Sequence, residues 1–505
     1  MARSLLLWSI VVLLSIVLRA AMRPVYVGQI DESAMPTLPL AQPFGDDLKG
    51  SSDAFLSLQA RSILANGLAR TGGVPLFNQG RAETKDFAWY DHHPPGVALA
   101  TAAAFGIFGE SELVARAVAL LFATLSLVVV VALVQKELGG IAALVTAAGA
   151  LASPMGSYWA SHLDYPVPTL AACTVFLVCA LRVPLTPRDG LVAAVALTFA
   201  LAFDYLALFA VAALVLERLI AGPRSWRQLL GWPLFAGAVG IGLLAWQHWA
   251  TSRYGHPMGG TLKEHVDEVW RLPLGVDVAA WWKAVGWNVW EIAGPMPLLA
   301  LVAAVISVLV RERAPAPLER LFRASLILAL LAGLVPRLLT YYHPYFQLYL
   351  QLPVALAFAL TVGKWLTPVG LDAPQRADGP AVINGVVAAV VILAAGLFFT
   401  IWQRNAPPAE DVPSACRLGI ELSSGPGRPV PDDVAVVVLP PSSQFNEFAP
   451  MWYARRLVLR LDTGKESRRG LAPRIAPLGL EDARIWLAKD ARWPGRGGFE
   501  PLKAE

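Results

Sequence analysis

The chain has 505 residues, 56% of them hydrophobic and only 15% charged, against about 25% charge in a soluble globular chain, which excludes a soluble enzyme and intrinsic disorder alike. A formal net charge of +4 is too small over this length for the electrostatic footprint of a nucleic-acid-binding protein. Three cysteines support neither a disulfide framework nor a zinc site of the usual spacing.

The composition is that of a multi-pass membrane protein, and the chain order bears this out. Apolar runs of spanning or near-spanning length are expected at 5–22, 112–135, 139–157, 166–182, 189–203, 205–220, 228–250, 295–311, 321–339, 344–366 and 381–402. The first run, flanked by Arg3, Arg19 and Arg23, reads as an uncleaved signal anchor. Residues 94–109 are apolar but short, opened by Pro94-Pro95 and closed by Gly109, and are read as an interfacial helix. Asp204 divides 189–220 into two short helices.

Charge sets the orientation. With that parity, Lys136, Arg182, Arg188, Arg224, Arg227, Arg311, Arg313, Arg320 and Arg323 all lie on the side of the N-terminus, as the positive-inside rule requires. The opposite short connections, 158–165, 204 and 340–343, contain no Lys or Arg. Eleven spans then leave the first loop 23–111, the Trp-rich loop 251–294 and the tail on the outer face. The tail is expected to be a small α/β domain over 404–505, with strands at 434–439 and 456–461 and a helical stretch at 479–488. The membrane module occupies 1–403.

Charged groups at the membrane boundary default to functional hypotheses. Asp53, Lys85, Asp91, His92, His93, Asp164, Asp204, Arg337 and His343 come from separate segments, yet this map gathers them on the outer face. Asp53 follows Ser51-Ser52 and precedes a helical pattern ending at Asn66-Gly67. It can be a first-turn residue behind a serine cap, a general base, or both. Asp164 and Asp204 sit in very short turns where a carboxylate is partly desolvated. The adjacent His92 and His93 do not have metal-ligand spacing, and Lys85 is placed to meet a phosphate. Tyr345, in Tyr341-Tyr342-His343-Pro344-Tyr345-Phe346, belongs to an aromatic belt or a binding rim. No dinucleotide or Walker glycine pattern and no serine nucleophile elbow occurs in the sequence.

The order of several short motifs resembles the polytopic glycosyltransferases of the C superfamily, in the group of protein O-mannosyltransferases and aminoarabinose–lipid A transferases. The pattern runs Asp53-Ala54-Phe55, Ala60-Arg61-Ser62-Ile63-Leu64-Ala65-Asn66-Gly67, His93-Pro94-Pro95-Gly96, Phe108-Gly109-Glu110-Ser111-Glu112 and Arg116. It continues through Ser153-Pro154, Leu163-Asp164-Tyr165-Pro166 and His343-Pro344-Tyr345-Phe346 to Pro353. The resemblance covers about 1–403.

It implies an essential acid at Asp53, a second outer carboxylate at Asp164, and a carrier-phosphate contact at Lys85. Relatives often carry Asp-Glu where this chain has Ser52-Asp53, and Lys where it has Asp204. His92, His93, Asp204, Arg337, His343 and Tyr345 are the expected substrate-binding residues. No cofactor is expected, and a divalent metal is not indicated. The implied donor is a sugar on a polyprenyl phosphate and the acceptor a hydroxyl on a lipid, glycan or protein, with Asp53 the expected general base for that hydroxyl. The implied location is the outer, periplasmic face of the inner membrane. The alternative is a non-catalytic, flippase-like or accessory protein of the same fold, which turnover of a labelled donor would distinguish.

Overall fold

The computed structural model describes residues 2–21, 48–76, 89–90, 93–221, 226–254, 270–273, 275–309, 316–342, 344–363, 379–404, 434–439, 457–460, 484–488 and 499–501. Among the described residues, fifteen α-helices are six residues long or more. They are α1 (Ala2–Ala21), α2 (Leu48–Asn66), α3 (Gly96–Phe108), α4 (Glu112–Leu138), α5 (Gly140–Ala152), α6 (Pro166–Ala180), α7 (Pro187–Phe203) and α8 (Leu208–Ile220). There follow α9 (Trp226–Ser252), α10 (Val278–Ala293), α11 (Pro295–Leu309), α12 (Ala316–Leu334), α13 (Arg337–Tyr342), α14 (Gln351–Phe358) and α15 (Gly379–Arg404).

Local sequence explains the boundaries. The Ser111 hydroxyl accepts the Val114 N–H at 3.2 Å, Glu112 lies in the first turn of α4 and Lys136 in its last, and Gly139 at φ +91° stops it. Thr186 caps α7 ahead of Pro187. Helix α3 begins after Pro95 and ends at Gly109, as its sequence predicts. At 13 residues it is about 20 Å long, short of the roughly 30 Å hydrocarbon core. Its first residue, Gly96, lies so close to the end of α7 that a β-carbon there would stand 2.4 Å from the Ala202 carbonyl oxygen.

Among the described residues, three helical segments are each long and apolar enough to cross a membrane: Glu112–Leu138, Leu229–Ser252 and Ile383–Thr400. A fourth span can come from α10 and α11, which are bent by 102° at Gly294. The other expected spans appear as shorter apolar helices, including Trp8–Arg19, Gly140–Ala152, Pro166–Ala180 and Phe346–Thr361. The described helices by themselves do not fix the expected count of eleven spans of full or near-full length. Prolines and short polar turns cut the runs: Pro154 and Pro166 bracket the turn after α5, and the 344–366 run becomes a 3₁₀ segment (Pro344–Leu350), α14 and a π turn.

The core mixes Leu, Val and Phe with many alanines, which let helices approach closely. Alanine-rich α5 packs against α4, α14 and α15. Away from the first loop, Glu217 of α8 is fully buried and accepts from Arg320 Nε at 3.2 Å and Arg323 Nη2 at 3.0 Å, both on α12. Glu319 also pairs with Arg323.

In the tail, β1 (Val434–Leu439), β2 (Leu457–Arg460), β3 (Arg484–Ala488) and β4 (Phe499–Pro501) form one sheet in the order β2-β1-β3-β4. Strand β1 pairs parallel with β2 and β3, and β4 antiparallel with β3. The two expected strands are present. The expected helix over 479–488 is corrected: its last five residues, Arg-Ile-Trp-Leu-Ala, form β3, because their apolar run is satisfied by the ladder with β1.

Candidate active site

Helix α2 places Asp53 in the interior, 0% exposed. The helix starts at Leu48, so Asp53 lies in the second turn. The reading of Ser51 or Ser52 as the cap and Asp53 as a first-turn residue is thus corrected, while Gly67 at φ +79° does end the helix. Without a capping role, the Asp53 carboxylate has tertiary partners. Arg116 Nε, from the first turns of α4, donates to Oδ2 at 3.0 Å. The Leu163 backbone N–H donates to Oδ1 at 2.6 Å, and His162 Nδ1 lies 3.4 Å from Oδ2. A second cross-link, Arg61 Nε to Glu110 Oε2 at 3.0 Å, fixes α2 against the start of α4.

Leu163 belongs to the turn between α5 and α6, and the next residue is Asp164. Asp164 is buried. Desolvation pushes its carboxyl up to about 7 against the Tyr165 N–H and the Ser52 hydroxyl, which favour the ionised form; Asp53 and Asp204 add to the upward shift. Tyr165 stacks on His93, with ring centroids 4.1 Å apart, and its hydroxyl donates to Gln59 Oε1 at 3.2 Å. The turn thereby joins Asp53, Asp164 and His93 in one place.

Asp204 closes the group from the other side. It caps the 3₁₀ turn Tyr205–Ala207, accepting the Leu206 N–H at 3.1 Å. Burial pushes its carboxyl up to about 7, with that N–H opposing. Its Oδ2 accepts no hydrogen bond among the described residues. Gln247 of α9 bridges two turns: its Nε2 donates to the His93 carbonyl at 3.0 Å, and its Oε1 accepts the Tyr205 hydroxyl at 2.6 Å.

Of the residues expected from the sequence, Asp53, His93, Asp164 and Asp204 therefore converge. Arg337 is exposed on α13, and its carbonyl accepts Trp281 Nε1 at 3.0 Å. Tyr345 lies in the 3₁₀ segment 344–350, whose Tyr349 is within electrostatic reach of Asp204 and Asp164. Lys85, Asp91, His92 and His343 lie outside the described residues. Among the described residues no three His, Cys, Asp or Glu side chains are grouped as metal ligands would be. Sequence reasoning gave no role to Arg116, His162, Gln59 or Gln247. The available signal was a lone arginine five residues into an apolar run.

Residues 92–249 match the family described as dolichyl-phosphate-mannose-protein mannosyltransferase. No curated protein sequence matches the chain. Solved structures share its fold over nearly the whole length. ArnT from Cupriavidus metallidurans bound to undecaprenyl phosphate aligns at TM-score 0.60 and 14% identity, over 96% of this chain and 93% of that one. The same protein in the apo state aligns at TM-score 0.59 and 14% identity, over 95% and 93%. The oligosaccharyltransferase AglB from Archaeoglobus fulgidus, in complex with an inhibitory peptide and a dolichol-phosphate, aligns at TM-score 0.53 and 12% identity, over 96% and 69%. The family match over 92–249 and the fold shared along nearly the whole chain both agree with the resemblance read from the sequence.

Proposed function

We propose that the protein is an integral-membrane glycosyltransferase that moves a sugar from a polyprenyl-phosphate carrier to an acceptor hydroxyl, on the outer face of the inner membrane. The observation that carries this reading is the convergence of Asp53, Asp164, His93 and Asp204 at the turns between apolar helices. A lipid-borne donor suits a site so placed, because the carrier dissolves in the bilayer while its sugar reaches the turns. Transfer by direct displacement inverts the anomeric centre.

The leaving group is an anionic phosphate, which needs a cation rather than a proton; Lys85, in the same first loop, is the proposed partner. The acceptor hydroxyl must lose a proton, and the two catalytic carboxylates divide the work. Asp53, held by the Arg116 guanidinium and the Leu163 N–H, fixes the turn. Asp164, whose carboxyl titrates near neutrality, is matched to take the proton. The other substrate-binding assignments, His92, His93, Asp204, Arg337, His343 and Tyr345, form the proposed rim.

The test is turnover of a labelled polyprenyl-phosphate sugar by purified protein in nanodiscs, with a lipid, glycan or peptide acceptor. Release of the free carrier phosphate with label on the acceptor is expected. Carrier that stays fully glycosylated under all acceptors would favour the non-catalytic reading.

A further inference from the structure

Arg19 lies near the end of α1 with its side chain 0% exposed. Its Nε donates to the Gly156 carbonyl at 2.7 Å, and its Nη1 donates to Ser15 Oγ at 2.5 Å and Thr124 Oγ1 at 3.2 Å. All three acceptors are neutral, and among the described residues no carboxylate pairs with this guanidinium. A buried cation without a counter-ion is an expensive way to join two helices. The Ser15–Thr124 hydroxyl pair, 2.9 Å apart, already links α1 to α4. What Arg19 adds is the bond to Gly156.

That bond reaches the site through the backbone. Gly156 sits in the helical turn Pro154–Ser157, followed by the 3₁₀ turn Trp159–Ser161 and then by His162, Leu163 and Asp164. A β-carbon at Gly156 would stand 1.7 Å from the Ala150 carbonyl oxygen, so the segment is folded tightly back on the end of α5. It is clamped at both ends, at Gly156 by Arg19 and at Leu163 by Asp53 Oδ1.

We infer that Arg19 is a positioning residue: by holding the Gly156 carbonyl it fixes the 156–163 segment so that the Leu163 N–H meets Asp53 and Asp164 faces the reacting hydroxyl. The catalytic half of this inference rests on the function proposed above, and the structural half does not.

The experiment uses the full-length protein in nanodiscs, with Arg19→Met, which removes both charge and donors, and Arg19→Lys, which keeps a charge and a donor for Gly156. Hydrogen exchange of peptides covering 154–165 is the direct readout. In Arg19→Met, exchange there should accelerate by about tenfold or more, while peptides of α12 keep wild-type protection. Arg19→Lys should regain part but not all of that protection, because one ammonium cannot replace both nitrogens of the guanidinium, and it carries the test if Arg19→Met does not fold. Wild-type exchange at 154–165 in the variant tested, or equal loosening of 154–165 and α12, overturns the inference.

With a transferable donor, Arg19→Met should lower kcat by roughly tenfold to a hundredfold, the scale of a small misplacement, with KM for the donor little changed. A rise in KM alone overturns the positioning role. If the wild-type protein transfers nothing, the functional reading fails while the exchange result still decides whether Arg19 holds the turn.

Discussion

Arg116 and Asp53, 63 positions apart, meet in a buried ion pair in which Nε donates to Oδ2 at 3.0 Å, with 2% and 0% of the two side chains exposed. A pair so deeply desolvated is costly to break by halves, because the survivor is left as an uncompensated charge. Arg116→Met should therefore lower the unfolding free energy by ~3–5 kcal/mol. Adding Asp53→Asn should recover much of that loss, since both charges are then gone. Thermal melts of the two single variants and the double variant in detergent give the coupling directly, and additive losses would contradict it.

The carboxyl of Asp164, raised to about 7 by burial, gives sugar transfer a distinctive pH profile. A general base must be ionised to act, so the rate should climb as pH rises through about 7 and level above it. Asp164→Asn should reduce transfer by at least about a hundredfold and abolish that inflection. A rate flat from about pH 6 to about pH 8, lost instead in Asp53→Asn, would move the base to the Arg116-paired carboxylate.

For Asp204 the same kind of shift makes a statement about stability. Its folded carboxyl is raised to about 7 above an unfolded value of about 3.9. The folded state thus binds more protons in that window, and stability falls as pH rises between the two values. Asp204→Asn keeps the cap on the Leu206 N–H and cannot ionise. Its melting temperature should exceed that of the wild type at about pH 8 and match it near pH 4, when both are measured by scanning fluorimetry. A lower melting temperature at the higher pH would show that the charge is stabilising.

Glu217 joins α8 to two arginines of α12 and is itself fully buried. Glu217→Gln retains the shape but gives up the charge-assisted bonds, and should destabilise by ~1.5–3 kcal/mol. Transfer by the folded protein should be unaffected, because the pair is remote in the helix order from the Asp164 turn. A selective loss of kcat at unchanged melting temperature would overturn that separation.

Much of the architecture is legible in single-sequence patterns because the determinants are local. Ser111-Glu112 announces α4, Pro95 and Gly109 bound α3, and the valine run 434–439 is a strand. Asp164 and Asp204 also stand out, as lone carboxylates in turns too short to be well solvated. What stays hidden depends on distant partners. Nothing near Asp53 in sequence reveals Arg116 or the Leu163 N–H, and the start of α2 at Leu48 removes the local capping explanation that Ser51-Ser52 suggests. Residues 484–488 suit either helix or strand by composition, and only the parallel ladder with β1 settles the matter. Apolar runs cut by proline and short turns likewise hide how many helices reach full spanning length.

Gln247 has a consequence of its own. Its amide holds the His93 carbonyl with nitrogen and the Tyr205 hydroxyl with oxygen, so the two ends of the group cannot be interchanged. Glutamate, with the same outline, would turn the donor toward His93 into a second acceptor and set two oxygens facing each other. The seam between the approach to α3 and the approach to α8 is thus written in the polarity of one side chain, and exchanging a single NH₂ for an oxygen is enough to unstitch it.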